Sequence, residues 1–108
     1  MIRVSIMYPQ SAGTRFDHDY YRDNHLPLIK NRMGEALKYY AIDKELAPGA
    51  PYVGMCHLLC DSLESYQAAF APHQEEITTD IGKFTDRKPM VQISQVVVEN
   101  STDVVEIT

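Results

Sequence analysis

Over the first ten residues the apolar positions fall at every second place. Ile2, Val4, Ile6 and Tyr8 share one side of the segment Ile2-Arg3-Val4-Ser5-Ile6-Met7-Tyr8, which is the two-residue period of a strand. Residues 9–14 (PQSAGT) punctuate it with proline and glycine and read as a turn. The period then changes to that of a helix over residues 18–33, with Asp17 placed to cap its start and Gly34 suited to its C-terminal end. Residues 36–46 (ALKYYAIDKEL) return to strand character, with Leu37, Tyr39 and Ala41 in one set and Tyr40 and Ile42 in the other. After the loop APGAP, residues 52–60 (YVGMCHLLC) are apolar on both sides. Val53, Met55 and Leu59 fall on one side and Cys56, Leu58 and Cys60 on the other, so this strand calls for burial on both faces. Asp61 and Glu64 form a D-x-x-E helix-start signal. It precedes the stripe Leu63, Tyr66, Gln67 and Phe70, spaced i, i+3, i+4, i+7. Pro72 opens further helical turns to about Ile81, residues 85–89 are a loop, and residues 90–99 (MVQISQVVVE) predict a last strand.

The order is therefore β-α-β-β-α-β. That is the ferredoxin-like plan, an α+β protomer whose antiparallel four-stranded sheet carries both helices on one face. The domain spans residues 1–100, and residues 101–108 (STDVVEIT) form a C-terminal tail, either a short added strand or a free end. The plan leaves the second face of the sheet bare, while the third strand is apolar on both sides. Two such sheets packed face to face across a twofold axis bury that surplus, so the expected partner is a second copy of the chain in a homodimer.

Length and charge narrow the possibilities. A chain of 108 residues is one domain and buries only about two-thirds of its unfolded surface. Its net charge of −5 and scattered Lys and Arg oppose nucleic-acid binding, which needs clustered cations against phosphate. No apolar run reaches the length of a membrane span, and the first residues lack the pattern of a secretory leader. Cys56 and Cys60 stand four residues apart on one strand, about 13 Å, too far for a disulfide or a shared metal. Two reduced core thiols are the pattern of a cytoplasmic protein. His18, His25, His57 and His73 show no metal-ligand spacing, and no glycine-rich phosphate loop is present. Neither a metal nor a nucleotide cofactor is expected.

The candidate chemistry lies in DYYRDNHLPLIKN, residues 19–31, where a proline interrupts an amphipathic helix two residues after a histidine. Tyr21, His25 and Leu28 share a face at i, i+4, i+7, with Tyr20 on the neighbouring stripe. Pro27 lacks an N–H and its ring crowds the carbonyl of Asp23, so the helix bends and that carbonyl is freed. Where the bend lifts the helix from the sheet, His25 and the tyrosine beside it line a gap, and the histidine supplies a base near neutral pH. A histidine on an apolar face also fits a core residue held by a backbone carbonyl, and both roles stand at this point. Tyr8 ends the first strand and Tyr52 opens the third. The ferredoxin-like order makes these strands neighbours, so both rings are placed to frame the same pocket. His57 on a central strand suits a structural role as well as a binding one, and His73 at a loop–helix junction suits a pocket wall as well as a cap.

Taken as a whole, residues 2–98 resemble the EthD family of small proteins. The resemblance rests on Tyr8-Pro9, on Phe16-Asp17 with Asp19-Tyr20-Tyr21 and His25-Leu26-Pro27-Leu28, and on Ala50-Pro51-Tyr52 with His57. It continues in Phe70-Ala71-Pro72-His73, Phe84-Thr85-Asp86 and Val91-Gln92-Ile93-Ser94. The Tyr-Tyr-x-x-x-His-x-Pro-Leu element is its most specific part. The resemblance implies the dimeric α+β barrel, and a family named for an association with bacterial degradation of a fuel ether. Similar barrels serve as cofactor-independent monooxygenases, cyclases, isomerases and dehydratases. Together with the spacing it implies His25, Tyr21 and Tyr8 as catalytic candidates. Tyr20, Leu28, Tyr52, His57, Phe70, His73 and Phe84 are then candidates for holding a small, mostly apolar organic ligand. The expected activity is cofactor-free proton transfer on such a compound in a catabolic pathway. The alternative is a carrier that only holds a hydrophobic intermediate.

Overall fold

Strands and helices follow the changes of period along the chain. The computed structural model describes residues 1–100; the tail expected at 101–108 lies outside the described residues. Strands β1 (Ile2–Pro9), β2 (Tyr39–Lys44), β3 (Tyr52–Cys60) and β4 (Met90–Gln95) form one sheet in the order β2-β3-β1-β4, with every neighbouring pair antiparallel. The first helical segment runs without interruption through α1 (His18–Tyr20), a π turn (Tyr21–His25) and α2 (Leu26–Met33). The second joins α3 (Leu63–Phe70) to α4 (Gln74–Ile81) through a 3₁₀ turn (Ala71–His73). This is the α+β ferredoxin-like fold that the element order predicts. Among the described residues no helix is long and apolar enough to cross a membrane.

Register decides which side chains meet. Val4 lies opposite Leu58, Ile6 opposite Cys56 and Tyr8 opposite Gly54, and these positions face the helices. Val4, Tyr8, Cys56, Leu58 and Cys60 join Tyr21, Leu26, Ile29, Tyr66 and Ile77 in one buried cluster. Gly54 is required on this face because a Cβ there would lie 2.8 Å from the Phe16 ring. The odd-numbered positions make the other face. There Ser5 lies opposite His57 and Met7 opposite Met55. That face is mixed in polarity, since the Ser5 hydroxyl is 2.8 Å from His57 Nδ1 and Asp43 is 3.2 Å from His57 Nε2.

Several boundaries differ from the sequence expectation, and three have a clear local reason. β2 starts at Tyr39 because Gly34–Ala36 forms a 3₁₀ turn that drops Leu37 into the core. The positive φ of 61° at Gly34 begins that turn at the end of α2. β4 ends at Gln95, and the next N–H, that of Val96, donates to the Met1 carbonyl. The cap of α3 is Ser62 rather than Asp61: the serine hydroxyl accepts from the Ser65 N–H. Asp17 caps α1 as the sequence predicts, its carboxylate accepting from the Tyr20 N–H.

Candidate functional site

The site begins with the proline. Pro27 has no N–H to donate, and the turn before it is widened: the Leu26 N–H reaches the Tyr21 carbonyl five residues back. The bend expected from Pro27 is therefore a π turn, and it carries Tyr21 and His25, both buried. Their rings stack, with centroids 5.7 Å apart and planes 16° apart. Phe84 lies against His25 with its centroid 4.6 Å away and against Tyr21 at 4.9 Å. Tyr8 meets Tyr21, Phe16 and Phe84 edge to face, the geometry that aromatic quadrupoles favour. The aromatic wall holds the histidine ring in one plane.

His25 is 2% exposed and is not alone. Its Nδ1 lies 2.9 Å from the carboxylate of Asp80, a buried acid near the end of α4. The Tyr20 hydroxyl donates to the other carboxylate oxygen at 2.8 Å, and Lys83 Nζ stands 3.6 Å from it. Burial pushes the Asp80 carboxyl up, but the hydrogen bonds from His25 and Tyr20 and the neighbouring charges outweigh it, so Asp80 stays below its ordinary value. Burial lowers His25 below its ordinary value of 6.5, against the opposing pull of Asp80. At neutral pH the pair is therefore a carboxylate and an uncharged imidazole. Because Asp80 takes Nδ1, Nε2 is the ring nitrogen left over, on a residue that borders an open space.

That space is a cavity of about 370 Å³ between the sheet and the two helical segments. Ile6, Tyr8 and Val91 line it from the strands, His25 and Ile29 from the first helical segment, and Tyr66, Phe70, Ile77 and Ile81 from the second. Gln67, Gln74 and Thr78, all exposed, form its rim. The Tyr8 hydroxyl has no hydrogen-bond partner among the described residues. Burial holds Tyr8 well above the ordinary phenol value, so it is an O–H donor at physiological pH. No Lys, Arg, Asp or Glu is among the lining side chains. The cavity is thus apolar with one base and a few neutral hydroxyl and amide groups, a composition suited to a small uncharged organic ligand.

The structure brings together some of the sequence candidates and separates others. His25, Tyr8 and Phe70 line the cavity. Tyr21 and Phe84 form the wall behind the histidine, and Tyr20 reaches it through Asp80. The Tyr21 hydroxyl is buried with no hydrogen-bond partner among the described residues, and burial raises its pKa far above the ordinary value. Leu28 lies on an outer groove with Pro72, Glu75, Lys83 and the far side of Asp80. Tyr52 lines a small cleft of about 130 Å³ at the β2–β3 connection. His57 is on the opposite face of the sheet, and His73, half-buried in the 3₁₀ turn, is not among the cavity's lining side chains. Sequence reasoning missed Asp80. Its signal was an acid at the place in Ile77, Asp80, Ile81 where the stripe of α4 calls for an apolar side chain.

Fold and site define a class: a ferredoxin-like α+β protein with a buried His–Asp pair at an apolar cavity. The chain belongs to the EthD family, whose EthD domain matches residues 10–88. An EthD-like protein from Ralstonia eutropha JMP134 is 48% identical in sequence and superposes with a TM-score of 0.84, over 93% of this chain and 95% of that one. Two more distant structures share the fold. An ethyl tert-butyl ether (EthD) family protein from Bacillus halodurans C-125 is 18% identical with a TM-score of 0.67, over 88% of this chain and 97% of that one. An antibiotic biosynthesis monooxygenase-type protein from Bordetella bronchiseptica is 13% identical with a TM-score of 0.61, over 90% and 97%. No curated protein matches the chain.

Proposed function

We propose that the protein catalyses cofactor-independent proton transfer on a small, uncharged, mostly apolar organic compound bound between helices and sheet. The observation that carries the reading is the His25–Asp80 pair at the cavity wall: an imidazole kept neutral by burial, with Nδ1 occupied, which leaves Nε2 as the nitrogen to act on a ligand. In the proposed reaction Nε2 takes a proton from an activated carbon or enol, and Tyr8 donates a hydrogen bond to the substrate oxygen that gains charge. Return of the proton to another atom completes an isomerisation, cyclisation or dehydration. A carrier needs only apolar walls. A second polar group in the lining, the Tyr8 hydroxyl, favours chemistry over carriage. The family's link to ether degradation and the monooxygenase-type fold neighbour agree with a small hydrophobic substrate. The functional unit is a homodimer, its bare sheet faces apposed around Met7, Met55 and His57.

Deuterium exchange tests the reaction before the natural substrate is known. Uncharged one- and two-ring ketones and 1,3-diketones in D₂O should take up deuterium beside the carbonyl faster with the protein than without it. His25→Gln should lower that rate about 10²- to 10⁴-fold. Exchange that is absent for the whole set, or unchanged in His25→Gln, would overturn the base assignment.

A further inference from the structure

Asp80 is a carboxylate only 8% exposed, between the cavity wall and an outer groove it shares with Glu76 and Lys83, and the proton count around it is fixed. A carboxylate below its ordinary pKa accepts and does not donate. Its two oxygens face the Tyr20 hydroxyl at 2.8 Å and His25 Nδ1 at 2.9 Å. Both neighbours must then supply the hydrogen. If the neutral imidazole carried its proton on Nε2, a lone pair on Nδ1 would point at the carboxylate from a ring that is only 2% exposed. That arrangement leaves a buried acceptor unpaired and costs the full desolvation of the group.

We propose that Asp80 is a positioning residue that holds His25 with its proton on Nδ1 and its lone pair on Nε2, and that Tyr20 tunes the strength of that base through Asp80. The proposal rests on the reading of His25 as the base. Tyr20 sits three residues after the cap Asp17, at the end of α1, and its hydroxyl crosses to α4. One hydrogen-bonded path, Tyr20–Asp80–His25, therefore ties the two helical segments together at the cavity wall. When Nε2 takes a proton, the imidazolium is stabilised by Asp80 across the Nδ1 hydrogen bond. How strongly depends on how much of the Asp80 charge is already shared. Tyr20 shares it by hydrogen bond and Lys83 by its charge at 3.6 Å. Glu76 of α4 is paired with Arg32 of α2 at 2.7 and 3.0 Å, Glu75 lies on the outer groove, and Tyr21 and Tyr8 are held as neutral phenols by burial. Removing the Tyr20 hydroxyl returns charge to the carboxylate oxygens and stabilises the imidazolium, so the His25 pKa rises. Removing the Asp80 charge has the opposite sign, because burial is then unopposed.

The test is ¹⁵N NMR of histidine-labelled protein without any ligand, titrated with pH for the wild type, Tyr20→Phe and Asp80→Asn. The wild type should show His25 protonated on Nδ1 at neutral pH, with its titration below 6.5. Tyr20→Phe, a mild change that keeps the ring, should keep that tautomer and move the titration to higher pH. Asp80→Asn should populate the Nε2-protonated form and lower the titration. In the deuterium-exchange assay it should reduce the catalytic rate about 10²- to 10⁴-fold, with substrate affinity little changed. A wild-type ring protonated on Nε2 overturns the proposal whether or not the other variant folds. So does a His25 titration that Tyr20→Phe leaves in place. If the tautomer and both shifts come out as expected but no compound exchanges deuterium, Asp80 still positions His25, and the base reading alone falls.

Discussion

Two histidine–aspartate pairs lie on opposite faces of one sheet and are built from the same groups. His25 and Asp80 meet at 2.9 Å with side chains 3% and 10% exposed, whereas His57 and Asp43 meet at 3.2 Å with 28% and 54% exposed. The second pair even has a serine: Ser5 stands 2.8 Å from His57, giving the membership of a nucleophilic triad. Membership is not a site. Ser5 and His57 lie side by side on the two central strands, whose backbone groups are paired in the ladder, and a flat sheet face offers no oxyanion hole. In the first pair the histidine ring is enclosed by Tyr21 and Phe84 and borders a cavity. The lesson is that surroundings, more than residue type, turn a histidine and an acid into a base: where water is excluded, each hydrogen bond and each charge counts for more.

Removing the enclosure is the harshest way to break this contrast. Phe84 is fully buried against His25, Tyr21, Tyr20 and Tyr8. Phe84→Ala should cost about 3–5 kcal/mol of stability in chemical denaturation and raise the titration of His25 as water enters. A loss under about 1 kcal/mol would mean that the aromatic wall is not what buries the base. The bare face answers to a different change. Met7 lies between Met55 and Met90 on that face, away from the cavity, and Met7→Glu would place an unpaired charge twice across a twofold interface. It should weaken the proposed homodimer at least about 10²-fold, roughly 2.8 kcal/mol, by light scattering over a dilution series. A wild-type protein that is monomeric at micromolar concentration would remove the interface from the account.

Much of this was legible in the chain. The two-residue period of β1 and the stripe of the first helical segment place Val4, Tyr8, Tyr21 and His25 around one core, because burial patterns are set locally; Leu28, on the same stripe by spacing, lies on the outer groove instead. Parity also fixes the face of His57. His57 shares the side of Val53, Met55 and Leu59, and in a strand that places it opposite Cys56, away from the helices. The start of β2 and the cap at Ser62 depend on a 3₁₀ turn and a single hydroxyl, choices of a fraction of a kcal/mol that no periodicity records. Asp80 was hidden for another reason. An acid among Glu75, Glu76 and Thr79 reads as part of a solvated helix face, and only the arrival of Tyr20 and His25 from 60 and 55 residues away gives it partners. The widened turn at Tyr21–His25 was foreshadowed by Pro27, but its π register was not, since the crowded carbonyl can be relieved by a kink as well.

The pH profile of the exchange rate puts the contrast to the most direct test. The base must be neutral to act, and burial lowers the His25 pKa in the folded protein. The rate should therefore climb on the acid side with a midpoint below 6.5 and be level by neutral pH. By the same sign, the unfolded chain binds the proton more readily than the folded one below 6.5, so His25 withdraws stability as the pH falls toward its folded value. His57→Gln should leave the midpoint where it is, and His25→Gln should remove the limb. A midpoint at or above 6.5, or a limb that follows His57 instead of His25, would contradict the assignment of the cavity as the functional site.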